Sequence, residues 1–498
     1  MIENNFAITG TFIAYLIMML AIGIYAYKRT SSSSDYFLGG RTLGPWPAAL
    51  SAGASDMSGW LLLGLPGYAY AAGLESLWLA GGLLVGTWLN WLICAKRLRT
   101  YSMTTDDALT LPEFLSRRFN DKSKLIQTIS ALFILLFFLF YTSSGLVAGG
   151  KLFETVFGLD YKIAVVIGTL CVVSYTLFGG FLAVAWTDLI QGLLMSAALM
   201  IVPIAAMQGG FGQLSADLVA INPELMTLWT GMDGKPLSAI AIISLAAWGL
   251  GYFGQPHILA RFLASRTNRE LTTARRIAVV WTALSMVGAV LVGLVGLLYV
   301  NGSMAGQAID GEKIFMLLVN AMFHPVIAGI LLAAILAAIM STADSQLLVS
   351  SSALSEDLYK QLVKKDATSK EVVNVGRLAV IALSLIALAL AMNPDSSVLG
   401  LVSYAWAGFG AAFGPAIVLS LYWKGMNRNG ALAGIVVGGI TIVVWKQLTG
   451  GWFDVYEIVP GIIFATTAII AVSKLTGKPE EAVAQQHEKF ERNLVEFE

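Results

Sequence analysis

The sequence contains little charge. Only 12% of its 498 residues are Asp, Glu, Lys or Arg, whereas soluble globular proteins carry about 25%. The 31 basic and 31 acidic residues balance, so no basic surface for nucleic acid is expected. The chain is 57% hydrophobic with a mean hydropathy of +0.74. This composition excludes an ordinary soluble domain and predicts an all-α polytopic membrane protein surrounded by lipid.

Cysteine and the common enzyme motifs are also scarce. Cys94 and Cys171 are the two cysteines, and both lie in apolar runs that predict buried thiols without a disulfide. The sequence contains no phosphate-binding GxxxxGK[ST], no HExxH and no CxxC. The longest predicted inside loop, 96–124, is too short for a nucleotide-binding domain. We therefore expect neither an enzyme nor an ATP-driven pump.

Long apolar runs dominate what is present. About 20 apolar residues cross a bilayer, and by that rule the sequence predicts thirteen spans. The first follows an N-terminus without basic residues, so it is expected to be a retained helix and not a signal peptide. The boundary between the fifth and sixth spans rests on the turn-forming residues 178–180. The spans are 6–27, 44–74, 76–95, 125–150, 163–182, 183–208, 236–260, 277–300, 325–355, 378–394, 396–423, 429–445 and 458–473.

The distribution of lysine and arginine predicts the orientation. Basic loops stay on the cytoplasmic side, and 96–124 and 261–276 are rich in Lys and Arg. An N-terminus outside and a C-terminus in the cytoplasm leave few basic residues outside. Residues 1–478 are then one transmembrane domain, and 479–498 form a charged, soluble cytoplasmic tail. The basic residues left outside are Lys151, Lys162, Lys235, Lys313 and Lys446.

The stretch 51–60, SAGASDMSGW, places a carboxylate within an apolar span. An ionised side chain at bilayer depth costs about 2.5–3.5 kcal/mol on insertion scales. The glycines beside Asp56 weaken the helix by roughly 1 kcal/mol each. A membrane helix that opens exposes backbone carbonyls, which bind small cations. The stretch therefore predicts a broken helix around a cation site.

A second interrupted span occurs five spans later. Residues 248–256, WGLGYFGQP, contain three glycines and a proline, which do not favour a regular helix. Paired broken helices in corresponding positions are typical of secondary transporters built from inverted repeats. The pattern predicts two inverted five-helix repeats, at approximately 44–208 and 236–423. One helix precedes them, and two follow.

Span nine supplies further oxygen atoms. Ala338, Ser341 and Thr342 share one helix face by their spacing, and hard oxygen ligands suit a monovalent cation here; ordinary helix packing is the alternative. Asp344 and Asp188 are two more intramembrane carboxylates. They lie along one exit path or share a second cation site, unless Asp188 is solvated at the interface.

Polar and aromatic residues interrupt two other apolar spans. Tyr141 and Ser144 interrupt span four, while Trp248 and Tyr252 share a face of span seven. These residues are expected either to line a site for a compact apolar substrate or to pack against neighbouring helices. His257 is expected to be a hydrogen-bonded structural residue and not a proton relay. Arg41, at the mouth of span two, steers ions or anchors at lipid headgroups.

Taken together, seven motifs resemble the sodium/solute symporter family, and within it the proline branch. The resemblance implies a leucine-transporter-like fold and Na⁺-coupled uptake of L-proline by alternating access in the bacterial cytoplasmic membrane. A Na⁺ symporter for another small solute, such as pantothenate, is the alternative. The motifs are LGGRTLGP (38–45), SAGASDMSGWLLLGLPG (51–67), ALTLPEF (108–114), GGFLAVAWTDLIQ (179–191), WGLGYFGQPHILARF (248–262), ILAAIMSTADSQLLVSSSA (335–353) and LGLVSYAWAGFGAAFGP (399–415).

The resemblance also implies roles for individual residues. Asp56 is the supporting carboxylate of the sodium site, and Arg41 belongs to coupling and gating. Asp188, Asp344 and Ser345 would form a second cation site or a release path. The implied Na⁺ ligands are Ala54, Met57, Ala338, Ser341 and Thr342. The implied proline-binding residues are Ser58, Gly59, Tyr141, Ser144, Trp248, Tyr252, Gln255 and Pro256.

Overall fold

The computed structural model describes residues 5–496. Residues 1–4 and 497–498, where the predicted transmembrane domain begins and the predicted tail ends, lie outside the described residues. Regular structure within 5–496 is helical, apart from two isolated bridges, Leu43 to Ser265 and Thr230 to Pro236. The prediction of an all-α protein is confirmed for this part of the chain.

The first half of the described chain contains ten α-helices, broken by short 3₁₀ and π segments. The α-helices are α1 (Asn5–Tyr27), α2 (Ser33–Leu38), α3 (Pro45–Asp56), α4 (Leu65–Ala72), α5 (Ser76–Ile93), α6 (Ala95–Thr104), α7 (Leu111–Arg118), α8 (Leu125–Phe157), α9 (Tyr161–Ala206) and α10 (Gly210–Ile221). The 3₁₀ segments are Gly39–Arg41, Gly73–Glu75 and Pro223–Met226, and Trp60–Gly64 is a π segment.

The second half repeats this pattern of long helices and short connections. Its α-helices are α11 (Ala239–Ala246), α12 (Pro256–Ala264), α13 (Asn268–Ser303), α14 (Ile314–Met322), α15 (Pro325–Ser352), α16 (Ser369–Leu390), α17 (Val398–Tyr422), α18 (Arg428–Trp445), α19 (Ile458–Leu475) and α20 (Glu481–Glu496). The 3₁₀ segments are Ala247–Gly254, Gly311–Lys313 and Gly451–Asp454, and Ala353–Val363 is a π segment.

Ten helices of the described residues are long and apolar enough to cross a membrane, or eleven when a bent pair at 239–264 is included. The thirteen spans predicted from the sequence also differ from the structure at two places. Residues 60–104 form one long apolar stretch where the sequence predicts parts of two spans, and Tyr161–Ser174 is shorter than a full span. The thirteen-span topology therefore stays a prediction.

Helix α15 is the centre of the helix packing. It contacts α1, α3, α8 and α9, and every residue from 331 to 348 is buried. The outer helices instead expose large apolar side chains such as Ile204, Val280 and Leu378, each about 60% or more exposed. An apolar exterior around a buried central helix suits lipid as the surrounding solvent.

Helix α9 bends at Gly180, whose φ of 61° and ψ of −165° interrupt the helical geometry. A side chain would be strained at this positive φ, and a Cβ would also lie 2.8 Å from the ring of Tyr36. The predicted boundary at 182/183 lies two residues beyond this bend.

The C-terminal segment is a helix packed against the rest of the protein. In α20, Phe490 stacks on Tyr101 with ring centroids 4.1 Å apart, and His487 Nδ1 lies 3.3 Å from Arg118 Nη2. Burial and the Arg118 guanidinium lower the pKa of His487 to about 4, so its ring is neutral at pH 7. The sequence predicts a soluble tail here, whereas in the structure this segment packs on the rest of the protein.

Two neighbouring glycines of α5 test the close approach of its backbone to the last residue of α11. A Cβ on Gly82 would lie 2.4 Å from the carbonyl oxygen of Ala246, whereas a Cβ on Gly81 would have no atom within 4 Å. We expect Gly82→Ala to destabilise the protein by about 1–3 kcal/mol through overpacking. Gly81→Ala is the matched control and should be neutral or slightly stabilising. Thermal unfolding in detergent measures both, and equal melting temperatures would contradict the packing.

Candidate functional site

Helix α3 ends at Asp56, which is buried inside the protein. Met57 leaves the helical region with φ −85° and ψ 83°, and the Ser58 N–H donates to the Asp56 carbonyl at 3.0 Å. In a continued helix that N–H would instead donate to the Ala54 carbonyl. The predicted break is therefore present, and it releases the Ala54 oxygen from the helix.

Hydroxyl groups of α15 contact the released oxygen. Ser341 Oγ donates to the Ala54 carbonyl at 2.7 Å, and Thr342 Oγ1 does so at 3.1 Å. Ser341 Oγ also lies 3.1 Å from the carbonyl of Ala338. The structure thus brings together four of the five predicted ligand oxygens; Met57 is buried in the adjacent unwound turn. An all-oxygen donor set of carbonyls and hydroxyls fits a hard monovalent cation.

The carboxylate of Asp56, two residues along the chain from Ala54, faces span seven. Tyr252 Oη donates to Asp56 Oδ2 at 2.6 Å, while Asp56 Oδ1 has no hydrogen-bond partner among residues 5–496. The backbone carbonyl of Asp56 accepts from Tyr141 Oη at 2.8 Å and from Trp60 Nε1 at 3.1 Å. Asp56 therefore connects the first broken helix to α8 and to the second broken helix.

The second break lies at Gln255. The segment Ala247–Gly254 is a 3₁₀ helix, Gln255 has an extended backbone, and α12 begins at Pro256. The two halves of this helix are bent by 45°. Proline at the first helical position suits this restart, because its missing N–H would have no helical acceptor there. Both predicted breaks are thus confirmed.

Aromatic side chains surround the second break. The ring of Tyr252 meets Trp406 edge to face at 4.8 Å, and Trp406 Nε1 donates to the Trp248 carbonyl at 2.7 Å. Trp248 stacks on Tyr456 at 5.3 Å. Gln255 Nε2 donates to the carbonyls of Gly251 and Trp406, which leaves its Oε1 without a partner in the described chain.

The other predicted substrate residues have local contacts. Ser144 Oγ donates to the Tyr141 carbonyl of its own helix at 2.5 Å, and Ser58 Oγ accepts from the Trp60 N–H at 3.3 Å. A Cβ on Gly59 would lie 2.5 Å from the Cβ of Ala148, so this glycine permits close packing against α8. These contacts hold the residues around the first break in place, and they do not identify a ligand.

The two remaining predicted acids lie around Arg261. The guanidinium of Arg261 contacts Asp188 Oδ2 at 3.3 Å, Ser345 Oγ at 2.7 Å and Ser51 Oγ at 2.9 Å. Arg261 and Asp188 are both fully buried, and Asp344 is buried near enough to Arg261 to interact with its charge. The assignment of Arg261 to an inside loop is wrong, and the solvated alternative for Asp188 is excluded.

Arg41 lies apart from the breaks. Its guanidinium binds Asp107 and Ser102 and also the carbonyls of Leu263 and Ala108, at 2.6–3.1 Å. It therefore joins the loop after α6 to the end of α12. Because protein partners surround the guanidinium, the headgroup-anchoring alternative is not supported in this conformation.

Sequence reasoning missed two residues that organise the site. Trp406 joins the 3₁₀ segment to α17, and its only signal was its position in the small-residue run AWAGFG. Arg261 precedes other arginines in the sequence, and the charge pattern therefore groups it with the basic loop 261–276. In both cases the tertiary contact, and not the local pattern, identifies the residue.

The breaks, the released carbonyl and the buried acid are features of an ion-coupled secondary transporter. A model of the "Sodium:solute symporter family" matches residues 36–438, and the chain belongs to that family. It is 51% identical over 480 residues to the "High-affinity proline transporter PutP" of Bacillus subtilis, covering 96% of this chain and 100% of the relative. It is 50% identical over 481 residues to the "Sodium/proline symporter" of Escherichia coli, covering 96% and 94% respectively.

A solved structure supports the fold. A Na⁺-coupled sialic acid symporter in a substrate-bound, outward-open state superposes with a TM-score of 0.78 at 21% identity, covering 96% of this chain and 99% of that one. At this identity the likeness concerns the arrangement of helices alone.

The buried pair of Arg261 and Asp188 makes a stability prediction. We expect Arg261→Gln to destabilise the protein by about 3–5 kcal/mol, because it leaves a buried carboxylate without its cation. Adding Asp188→Asn should recover part of that loss. Arg266→Gln, which breaks the exposed pair with Glu270, is the control and should change little. Thermal unfolding in detergent measures all of them; a double variant no more stable than Arg261→Gln would contradict the ion pair.

Proposed function

We propose that this protein couples the uptake of L-proline to the entry of Na⁺ down its gradient. The observation that carries the proposal is the released Ala54 carbonyl, which meets the hydroxyls of Ser341 and Thr342 beside the Asp56 carboxylate. The names of its relatives, at about 50% identity over nearly the whole chain, support Na⁺ and proline as the two substrates. Pantothenate remains the solute to test as the alternative.

The Na⁺ site lies between α3 and α15. Its ligands are the carbonyls of Ala54, Met57 and Ala338 together with the two α15 hydroxyls. Each hydroxyl now donates to a carbonyl, and on ion binding it turns a lone pair to the cation. The unpaired Asp56 Oδ1 supplies negative charge nearby, which raises the affinity for a cation in a low-dielectric site.

The proline site lies between the two broken helices. Tyr141, Trp248 and Tyr252 provide apolar surface for a small ring, and Gln255 and Pro256 end the unwound segment. Ser58 and Gly59 join this wall to the ion site, while Ser144 supports Tyr141. The substrate carboxylate faces the N-terminus of α12, where the helix dipole favours negative charge.

Coupling follows from the position of the ion. A cation bound by both α3 and α15 holds these two helices together, so it stabilises the conformation in which the adjacent proline site is formed. The coupling is reciprocal, and bound proline raises the affinity for Na⁺ by the same factor.

Asp188, Asp344 and Ser345 form a cation site whose present occupant is the side chain of Arg261. A second Na⁺ binds there, or passes on its way to the cytoplasm, only when Arg261 moves away. Arg41 acts in coupling by holding the cytoplasmic loop at residues 102–108 against α12.

The arrangement in the membrane follows the sequence pattern. The chain spans the bacterial cytoplasmic membrane thirteen times, with the N-terminus outside and the C-terminus in the cytoplasm. Two inverted repeats, 44–208 and 236–423, give a leucine-transporter-like core within the transmembrane domain 1–478, and 479–498 follow it.

Uptake of radiolabelled proline into proteoliposomes tests the function. An inward Na⁺ gradient should drive saturable accumulation, and unlabelled proline should compete far better than pantothenate or other small solutes. Empty liposomes and an equal K⁺ gradient are the controls. Uptake that ignores the Na⁺ gradient, or that pantothenate inhibits as strongly as proline does, would overturn the proposal.

Thr342→Val tests the ion site at nearly constant shape. We expect the Na⁺ concentration for half-maximal uptake to rise roughly 10-fold or more, the effect of losing a charge-assisted contact of at least about 1.4 kcal/mol. Thr169→Val is the matched control, because Thr169 is buried and its hydroxyl bonds only within its own helix. If both variants keep the wild-type Na⁺ dependence, Thr342 is not a ligand.

A further inference from the structure

His257 is a fully buried imidazole whose two ring nitrogens have no hydrogen-bond partner among residues 5–496. The expectation that it is a hydrogen-bonded structural residue is therefore not supported within the described chain. A buried polar group left unpaired costs about 1–3 kcal/mol, so such groups normally meet a ligand, an ion or a water molecule. Residues 5–496 supply no partner for the His257 imidazole.

The imidazole lies on the wall of the second break. His257 is the second residue of α12, directly after Pro256. Its ring packs edge to face on Phe138 at 5.4 Å and on Tyr141 at 5.7 Å. Tyr141 in turn donates to the Asp56 carbonyl, so the imidazole lies close to the junction of both broken helices.

Other buried polar atoms on the two broken helices and on α8 also lack partners. Asp56 Oδ1, Gln255 Oε1 and Ser143 Oγ are also buried without partners in the described chain. Arg261, one turn along α12, is directed elsewhere; it donates to the His257 carbonyl and to Asp188. Asp56 ends α3 and Gln255 directly precedes α12, so two of these unpaired atoms belong to the residues at the two breaks.

We propose that His257 is a substrate-binding residue whose imidazole N–H donates a hydrogen bond to the carboxylate of the transported amino acid. This inference rests on the proposed uptake of proline. A neutral imidazole has one N–H donor and one acceptor nitrogen. The donor matches a carboxylate, which only accepts, and the N-terminus of α12 favours negative charge at the same place.

Two substitutions separate this role from a structural one. His257→Phe removes both nitrogens but keeps an aromatic ring beside Phe138, so folding should be retained. His257→Gln restores an N–H donor. Asn90→Leu is the matched control, because Asn90 is another buried side chain with both polar atoms unpaired in the described chain, yet the proposed site does not use it. Thermal unfolding and size-exclusion profiles establish that each variant is folded.

The measurement compares proline with L-prolinamide, which lacks the carboxylate. Each is titrated as an unlabelled competitor of Na⁺-dependent radiolabelled proline binding to the purified protein. For His257→Phe we expect proline to bind roughly 10-fold or more weakly, while the affinity for prolinamide changes less than about threefold. His257→Gln should recover part of the proline affinity, and Asn90→Leu should bind proline like the wild type.

The outcomes that overturn the inference are distinct from failure of the proposed function. If wild-type protein binds proline and His257→Phe binds it equally well, His257 holds only water. If proline and prolinamide weaken by the same factor, His257 shapes the site without contacting the carboxylate. If the wild-type protein itself shows no Na⁺-dependent proline binding or uptake, the proposed function fails, and the inference fails with it.

Discussion

The unwound turn at the end of α3 is the feature on which the rest of the structure depends. A carbonyl released from a membrane helix has no bulk water to accept from, so other parts of the protein must satisfy it. Here the hydroxyls of Ser341 and Thr342 donate to the backbone carbonyl of Ala54. The hydroxyl of Tyr141 donates to the backbone carbonyl of Asp56. Three helices are therefore held at one break.

Buried charge constrains the neighbouring part of the fold. Arg261 is fully buried, and a lone guanidinium at that depth would be strongly unfavourable. Asp188 supplies its counter-charge, and the hydroxyls of Ser51 and Ser345 satisfy further N–H groups. Because Ser345 lies one turn beyond Ser341 on α15, this charged network and the cluster around Ala54 share a helix.

The aromatic contacts around the second break have a different role. Trp406 contacts Tyr252, Gln255 and the carbonyl of Trp248, so α17 supports the 3₁₀ segment from outside. Indole and phenol rings combine a large apolar surface with one polar atom, and they can seal a small site while still satisfying released backbone groups. Asp56 Oδ1, Gln255 Oε1 and both ring nitrogens of His257 have no hydrogen-bond partner among residues 5–496.

The sequence by itself determined the class of the protein and the positions of both breaks. Apolar runs, scarce charge and glycine clusters act locally, so they can be recognised without knowing the fold. The hydroxyls of α15 were also recognisable, because their spacing places them on one face. Only the tertiary structure decided that Arg261 is buried against Asp188, that Trp406 supports the second break, and that α20 packs on Tyr101. Those contacts join residues far apart in the chain, and no local pattern encodes which distant partner satisfies a buried group.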